Sequence, residues 1–216
     1  MILAVHFLAS YLLGAFPSSV VLGRVVRGID IREHGSGNAG ATNAWRVLGW
    51  RIGLPVVLID VVKGALAATV IARLPLGPTP LDPQTLAVLC GLIAVLGHVF
   101  PIYLNFRGGK GVATAAGMLV ATAPLPIACA VGIFALCLFL SGRVSLGSIT
   151  AAWTVPLSIL LFHRYTGIRH SVLLVALTFA LAVFITYTHR TNLQRLLHGK
   201  EPAFPQLQLW KRWFGR

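Results

Sequence analysis

Acidic side chains are scarce in this sequence, which has five Asp and Glu residues against 18 Lys and Arg residues and a formal net charge of +13. Charged residues make up only 11% of the 216 residues and hydrophobic ones 56%, a balance that excludes an ordinary soluble domain. We therefore predict an all-α, polytopic integral membrane protein with a single domain over residues 1–216. Because the cations are dispersed between apolar runs, we expect membrane lipids and anionic small molecules as partners, and no nucleic acid.

Several site signatures are also missing. The three cysteines, Cys90, Cys129 and Cys137, lie in apolar runs without a C-x-x-C pair and are interpreted as core residues. The polar stretches hold no pair of carboxylates, which excludes a two-metal phosphoryl site and a glycosidase-like dyad. No G-x-S-x-G nucleophile elbow occurs either. We therefore expect neither a metal nor a cofactor.

Apolar runs comparable to the roughly 20 residues that cross a bilayer occur at 2–23, 52–72, 84–104, 147–162 and 171–188. The stretch 112–140 is too long for one ordinary span, and Pro124 and Pro126 interrupt it. Two spans there leave only Arg73, Arg164 and Arg169 on one side of the membrane, whereas one span would distribute the cations evenly. The bias predicts seven helices with the N-terminus outside and the C-terminus in the cytoplasm. The aromatic and basic tail Trp210–Phe214 is interpreted as an interfacial anchor.

Three polar, glycine- or cation-rich stretches share the predicted cytoplasmic face. Loop 1 is Gly35–Arg46, loop 2 is Phe106–Thr114 and loop 3 is His189–Glu201. Glycines let backbone N–H groups approach an anion closely, and a following helix adds positive charge at its N-terminus. We therefore predict that the three loops converge on anionic groups, with tight surface turns as the alternative.

Loop 1 formally matches G-x-G-x-x-G, but no βαβ unit surrounds it, so a dinucleotide site is not expected. In loop 2, Lys110 lies between two glycines with Arg107 nearby, but Gly111 follows it where a Walker A loop needs Ser or Thr. A phosphate grip and an ordinary basic loop are equally compatible with that pattern. Loop 1 offers neutral donors and one cation: Ser36, Asn38, Thr42, Asn43 and Arg46.

Loop 3 places His189, Asn192 and Arg195 three residues apart, so they share a face if the last span continues as a helix. This puts an acid or base candidate beside an amide and a cation, while Glu201 is expected to form a structural ion pair. Inside the membrane, Asp60 and Lys63 at i and i+3 either neutralise each other in packing or line a site, where Lys63 could reach a phosphate. We interpret His98 as a hydrogen-bonded packing residue, with a direct role as the alternative. Ser145 and Ser148 form a fourth possible donor group.

Taken in order, the motifs of the whole chain resemble those of the bacterial acyl-phosphate:glycerol-3-phosphate acyltransferases, the PlsY family. The matching segments are 35–43 (GSGNAGATN), 60–64 (DVVKG), 98–101 (HVFP), 108–114 (GGKGVAT), 189–192 (HRTN) and 199–201 (GKE). The resemblance implies transfer of a fatty acyl group from acyl phosphate to the sn-1 hydroxyl of glycerol 3-phosphate. The products would be lysophosphatidic acid and phosphate, in the first step of bacterial phospholipid synthesis at the cytoplasmic membrane. The family is thought to pass the proton to substrate phosphate.

The resemblance also implies roles for individual residues. Glycerol 3-phosphate would be held by catalytic residues Ser36, Arg46, Lys110, His189 and Asn192. The acyl phosphate would be surrounded by Asn38, Thr42, Asn43, Gly108, Gly109 and Ser145. Gly35 and Gly37 would be substrate-binding residues as well. Structural roles would fall to Asp60, Lys63 and Glu201. A phosphate or organophosphate transporter and a lipid-binding scaffold are the alternatives from other functional classes.

Overall fold

The computed structural model describes residues 1–168 and 170–208, and every regular element in that part of the chain is helical. Arg169 and the predicted anchor Trp210–Phe214 lie outside the described residues. Clustering of the backbone gives two compact units, Met1–Thr122 and the chain from Ala123 onward. The helices of unit 1 are α1 Ile2–Ala15, α2 Ser18–Arg27, α3 Ala41–Leu48, α4 Trp50–Thr69, α5 Pro83–Val99 and α6 Val112–Thr122. Those of unit 2 are α7 Pro124–Ser141, α8 Val144–Tyr165, α9 Val172–Thr188 and α10 Arg190–Leu197.

The predicted membrane character is confirmed by the length and apolarity of the helices. Five candidate spans occur among the described residues: Ile2–Arg27, Trp50–Arg73, Pro83–Leu104, Pro124–Ser141 and Val144–Tyr165. A sixth is obtained if α9 and α10, which meet at a bend of 66°, form one broken span. The count of seven and the orientation stay predictions.

The ambiguous stretch 112–140 forms two helices, with Ala123 between α6 and α7. A proline disfavours helical geometry in the residue before it and is well tolerated in the first helical turn, so Pro124 ends one helix and starts the next. Helix α6 has 11 residues and a length of about 16 Å, roughly half the hydrocarbon thickness. It is therefore a short apolar helix, not a full-length span.

In unit 1, close backbone approach brings α4 against α6. A Cβ built on Gly64 would overlap the carbonyl oxygen of Thr114, and one on Gly117 would overlap that of Val61. Small residues at such crossings let two membrane helices touch along their backbones. As a result, the polar residues Asp60 and Lys63 of α4 lie in the interior of the unit, where they are 1% and 3% exposed.

The first predicted span, 2–23, is broken into α1 and α2 at Phe16 and Pro17. Proline has no N–H to continue the backbone ladder, and the N–H of Phe16 donates to the carbonyl of Leu13 over 3.2 Å at the end of α1. The carbonyl oxygen of Phe16 accepts the N–H of Ser18 and also Lys63 Nζ, each over 3.1 Å. Lys63 therefore contacts the backbone at the break between α1 and α2.

In unit 2, the segment after α10 folds back on the end of α7. The N–H of Phe204 donates to the carbonyl of Gly142 over 2.8 Å, and Gln208 Nε2 donates to that of Ser141 over 2.6 Å. Gly142 ends α7 with a φ of 65°, a left-handed conformation that suits glycine. These contacts hold loop 3 beside the start of α8.

The condition under which His189, Asn192 and Arg195 would share a face, a last span that continues as one helix, is not met. Helix α9 ends at Thr188, and α10 starts at Arg190 after the 66° bend. Two side-chain donors, Thr188 Oγ1 and His189 Nδ1, each lie 2.8 Å from the carbonyl oxygen of Ile185. Such local side-chain bonds compete with the helical ladder. His189 is consequently the junction residue, and only Asn192 and Arg195 share α10.

Candidate active site

The shape of loop 1 depends on the buried side chain of Asn43 in α3. Its Oδ1 accepts the N–H of Ser36 over 2.8 Å, and its Nδ2 donates to the carbonyls of Ile31 and His34, each over 3.0 Å. All three bonds fold the loop onto the first turn of α3. Asn43 therefore engages the loop backbone, while the hydroxyl-bearing Ser36 remains exposed.

Glycine is required at position 35 for two separate reasons. Gly35 has a φ of 62°, which L side chains rarely adopt, and a Cβ there would overlap Asn43 Oδ1. Loop 1 runs into α3, whose N-cap is Gly40 and whose first turn contains no acidic residue. Backbone N–H groups at a helix N-terminus favour an anion. Thr42 lies in that first turn, and Arg46 lies one turn further on and is exposed.

Two carboxylates, Asp30 and Glu33, precede loop 1. Asp30 forms ion pairs with arginines of its own segment. Asp30 Oδ2 lies 2.7 Å from Arg32 NH2 and 3.1 Å from Arg24 NH2, and its Oδ1 accepts the N–H of Arg32 over 3.0 Å. The Arg32 guanidinium, opposed only partly by burial, holds the pKa of Asp30 well below its usual range. Asp30 therefore brings one compensated negative charge to the entrance of the loop.

Loop 2 folds back onto the end of α5 through its glycine amides. The N–H of Gly108 donates to the carbonyl of Val99, and that of Gly109 donates to the carbonyl of His98, each over 3.1 Å. The prediction that glycine amides of loop 2 approach an anion is therefore wrong for Gly108 and Gly109. Their small size matters instead, since a Cβ on Gly108 would overlap the His98 carbonyl and one on Gly109 would overlap His98 Nε2.

Loops 1 and 2 lie next to each other in unit 1. Asn38 Nδ2 is 3.5 Å from the carbonyl oxygen of Gly108, and Arg32 NH1 is 3.5 Å from that of Leu104. Both distances are long for hydrogen bonds. They show that the two loops are neighbours, but the bonds between them are weak. A cleft opens beside them, lined by Ala15, Phe16, Pro17, Ser18, Ala39, His98, Pro101, Leu104, Gly108 and Gly109.

A buried polar cluster lies behind this cleft. Asp60 Oδ1 is 2.9 Å from Lys63 Nζ and accepts a 2.8 Å hydrogen bond from Ser18 Oγ. Lys63 Nζ also lies 2.8 Å from His98 Nδ1, in addition to its bond to the Phe16 carbonyl. The predicted i and i+3 pair of Asp60 and Lys63 is therefore present. The Lys63 ammonium group contacts three protein atoms, which are Asp60 Oδ1, the Phe16 carbonyl oxygen and His98 Nδ1.

In unit 2, Glu201 is the centre of a second polar cluster. Its Oε1 accepts from Ser145 Oγ over 2.7 Å and from Asn192 Nδ2 over 2.6 Å, and its Oε2 lies 2.7 Å from Arg195 Nε. Burial alone raises the pKa of the Glu201 carboxyl, but the three donors outweigh it, so the pKa lies below its usual value. The carboxylate thus orients Ser145 and Asn192.

His189 is 3% exposed at the junction of α9 and α10. Its Nδ1 lies 2.8 Å from the carbonyl oxygen of Ile185. Because a carbonyl oxygen only accepts, Nδ1 carries a proton, and in the neutral ring Nε2 is the acceptor. The backbone therefore fixes which nitrogen of His189 could receive a proton or accept a hydrogen bond from a hydroxyl.

The comparisons with known proteins agree over nearly the whole chain. Residues 4–199 match the family described as glycerol-3-phosphate acyltransferase. A protein of that name from Chlorobium phaeobacteroides (strain BS1) is 44% identical over 92% of this chain and 95% of its own length. The relative from Chlorobaculum tepidum is 44% identical over 89% of this chain and 92% of its own length.

Two crystal structures show the same likeness. Both are of PlsY, an integral membrane glycerol 3-phosphate acyltransferase, and each is 32% identical to this chain over 96% of its length and 98% of the PlsY chain. The glycerol 3-phosphate form has a TM-score of 0.83, and the lysophosphatidic acid form has one of 0.82. The likeness therefore covers sequence and three-dimensional structure together.

Proposed function

The chain belongs to the glycerol-3-phosphate acyltransferase family, and on that premise we propose that it uses a fatty acyl phosphate as donor and the sn-1 hydroxyl of glycerol 3-phosphate as acceptor. The products are lysophosphatidic acid and inorganic phosphate. The protein is a multi-pass membrane protein, and we place its reaction at the cytoplasmic face of the bacterial inner membrane. The predicted PlsY family is thus confirmed, while the donor, the position of acylation and the membrane face are proposals.

The chemistry of an acyl phosphate suits the side chains that are present. The sn-1 oxygen attacks the acyl carbon, the ester bond forms, and the bond between the acyl carbon and the phosphate oxygen breaks. Phosphate leaves with the bonding electron pair and takes up the hydroxyl proton. Since the donor is an activated mixed anhydride, the protein needs mainly to position the reactants and stabilise oxyanions.

The observation that carries the proposal is the adjacency of loops 1 and 2 around the cleft of unit 1. Neither loop contains a carboxylate, whereas Arg46 and Lys110 supply positive charge. Positive charge without a neighbouring carboxylate favours an anionic substrate.

We assign glycerol 3-phosphate to Ser36, Arg46, Lys110, His189 and Asn192, and the acyl phosphate to the surroundings of Asn38, Thr42, Gly108 and Gly109. Gly35, Gly37 and Asn43 support the site by shaping loop 1. Ser145 belongs to the Glu201 cluster, where its hydroxyl donates to the carboxylate. That unit 2 contributes through His189 and Asn192 stays a prediction from the sequence.

The donor is tested with the purified protein in detergent. Palmitoyl phosphate plus glycerol 3-phosphate should yield lysophosphatidic acid and an equal amount of phosphate, whereas palmitoyl-CoA should yield neither. Positional analysis of the product with sn-1-specific and sn-2-specific phospholipases should place the chain at sn-1. Activity with the thioester alone, or an sn-2 product, would contradict the proposal. A transporter would release no phosphate from palmitoyl phosphate.

The membrane face is tested by labelling a single cysteine. In a variant without the three native cysteines, Ser36→Cys should react with a membrane-impermeant maleimide in inverted vesicles and not in intact spheroplasts. Arg190→Cys, at the exposed neighbour of buried His189 in loop 3, should show the same sidedness. Labelling of the two positions from opposite sides would rule out a common cytoplasmic face for loops 1 and 3.

A further inference from the structure

We propose that His98 is an additional substrate-binding residue, whose Nε2–H donates a hydrogen bond to a phosphoryl oxygen of the acyl donor in the cleft of unit 1. The inference rests on the proposed function, because it names a contact to the acyl phosphate. Its basis is the geometry of both ring nitrogens, since one of them is fixed by a buried lysine and the other faces the cleft.

The buried lysine determines which ring nitrogen carries the proton. Lys63 Nζ lies 2.9 Å from Asp60 Oδ1, 3.1 Å from the Phe16 carbonyl and 2.8 Å from His98 Nδ1. An ammonium group has three donors and no acceptor, and these three atoms match its three protons. His98 Nδ1 must then accept, so the proton of the neutral ring is on Nε2. The contact of Nδ1 with Asp60 Oδ1 is longer, at 3.5 Å, and does not compete.

The other side of the ring reaches the cleft. Among residues 1–168 and 170–208, no group forms a hydrogen bond with His98 Nε2, although the side chain is only 7% exposed. His98, Gly108 and Gly109 line the same cleft, and a Cβ on Gly109 would overlap Nε2. The glycine therefore leaves the space that lets this donor face the cleft. A nearly buried donor without a partner is unfavourable until an acceptor arrives.

The proposed function indicates which substrate supplies that acceptor. Gly108 and Gly109, which are assigned to the acyl phosphate, line the same cleft, and Ser18 Oγ, the other polar side chain of the lining, already donates to Asp60. The acceptor for Nε2 is therefore one phosphoryl oxygen of the acyl phosphate. A neutral donor also binds the leaving group without adding a cation to the membrane interior.

The matched pair for the test is His98→Gln and His98→Met. Neither variant side chain has an acceptor at the position of Nδ1 beside Lys63, but the longer amide of His98→Gln keeps an N–H near the position of Nε2. A third variant, His98→Asn, keeps an acceptor for Lys63 and loses the donor in the cleft. Each variant is assayed for the KM of palmitoyl phosphate, the KM of glycerol 3-phosphate, the inhibition constant of inorganic phosphate and the melting temperature.

We expect His98→Met and His98→Asn to raise the KM of palmitoyl phosphate and the inhibition constant of phosphate about tenfold or more, as for the loss of one hydrogen bond to a charged group. His98→Gln should stay within about threefold of wild type in both constants. The KM of glycerol 3-phosphate should change by less than about twofold in all three variants. His98→Gln and His98→Met should melt below His98→Asn, because they leave Lys63 with an unused proton.

Two results would overturn the inference. In one, His98→Gln and His98→Met are equally impaired while His98→Asn resembles wild type, which means that His98 serves only to pair with Lys63. In the other, all three variants bind palmitoyl phosphate as wild type does. If His98→Met does not fold, the comparison of His98→Asn with His98→Gln decides in the same way. Failure of the proposed function is a different result, because wild type itself would then make no lysophosphatidic acid from palmitoyl phosphate.

Discussion

Ser145 Oγ donates a hydrogen bond of 2.7 Å to Glu201 Oε1, which joins the start of α8 to the end of loop 3. The same carboxylate accepts from Asn192 and pairs with Arg195. One acidic residue thereby fixes the orientation of two polar side chains that the family resemblance places near the substrates. The geometry of unit 2 should depend on the ionisation of this one group.

The pH dependence of stability should show that Glu201 is charged in the folded protein. Because the folded pKa lies below the unfolded value of about 4.3, the stabilisation is complete above that value and is lost as pH falls through the folded pKa. Glu201→Gln should lower the melting temperature by a few degrees at pH 7 and flatten its fall as the pH drops below the unfolded pKa. Tryptophan fluorescence during heating measures both effects. An unchanged slope would show that Glu201 is not the titrating group, and exposed Glu33→Gln is the control.

Substitutions of Gly35 and Gly28 test whether the conformation of loop 1 depends on close packing against Asn43. Their φ values are 62° and 67°, but a Cβ on Gly28 meets nothing within 4 Å, whereas one on Gly35 overlaps Asn43 Oδ1. Gly28→Ala should therefore cost only the strain of a left-handed residue, roughly 1–2 kcal/mol, and leave kcat unchanged. Gly35→Ala should cost more and lower kcat/KM for glycerol 3-phosphate at least about tenfold, because Ser36 loses its bond to Asn43. Equal effects on kcat/KM in the two variants would contradict this reading of loop 1.

Much of the fold follows from hydropathy and proline alone. Long apolar runs must satisfy their backbone internally in a bilayer, so helices were the expected outcome, and Pro124 marks the division of 112–140 correctly. The break at Pro17 was within reach of the same reasoning but was missed, because the run 2–23 has the length of one complete span. Its stabilisation by Lys63 could not be predicted, since it depends on α4 packing beside α1.

The sequence predicts which types of residue form the candidate site, but it predicts their geometry less well. The glycines of loop 2 suggested amides facing a phosphate, but a sequence does not tell which direction an N–H takes, and both amides bond back to α5. The bend at His189 was missed because i and i+3 spacing assumes a continuous helix. The side chains of Thr188 and His189 both bond to the Ile185 carbonyl at the bend, and the sequence does not show that they adopt these rotamers.

The ion pair of Asp60 and Lys63 should show strong coupling in a double-mutant cycle. Asp60→Asn and Lys63→Met each leave a buried charge without its partner, which costs about 3–5 kcal/mol, whereas the double variant removes both charges. The double variant should therefore be more stable than the sum of the singles by about 2 kcal/mol or more, in thermal or denaturant unfolding. Arg24→Gln, which breaks a contact of an exposed arginine with Asp30, should cost less than about 1 kcal/mol. Additive effects for Asp60 and Lys63 would show that the pair is not coupled.

Substitutions of Lys110 and Arg107 distinguish a specific contact with phosphate from a general effect of positive charge in loop 2. Lys110→Ala should lower kcat/KM by about 10- to 100-fold, as expected for one lost charged hydrogen bond, without a change in melting temperature of more than a few degrees. Arg107→Ala removes the same charge from an exposed position and should change kcat/KM less than about threefold. Equal losses in the two variants would indicate that loop 2 acts only through its net charge.

His189 can act as a binding group or as a base, and the two roles differ in their kinetics. Because Nδ1 donates to the Ile185 carbonyl, Nε2 is the nitrogen without a proton in the neutral ring and would serve in either role. If it binds the acceptor, His189→Ala should raise the KM of glycerol 3-phosphate about tenfold and leave the shape of the kcat pH profile unchanged. If it is a base, wild type should show an acidic limb in kcat that disappears in His189→Ala. We expect the first result, because the phosphate leaving group can take the proton itself, and an acidic limb removed by the substitution would refute that expectation.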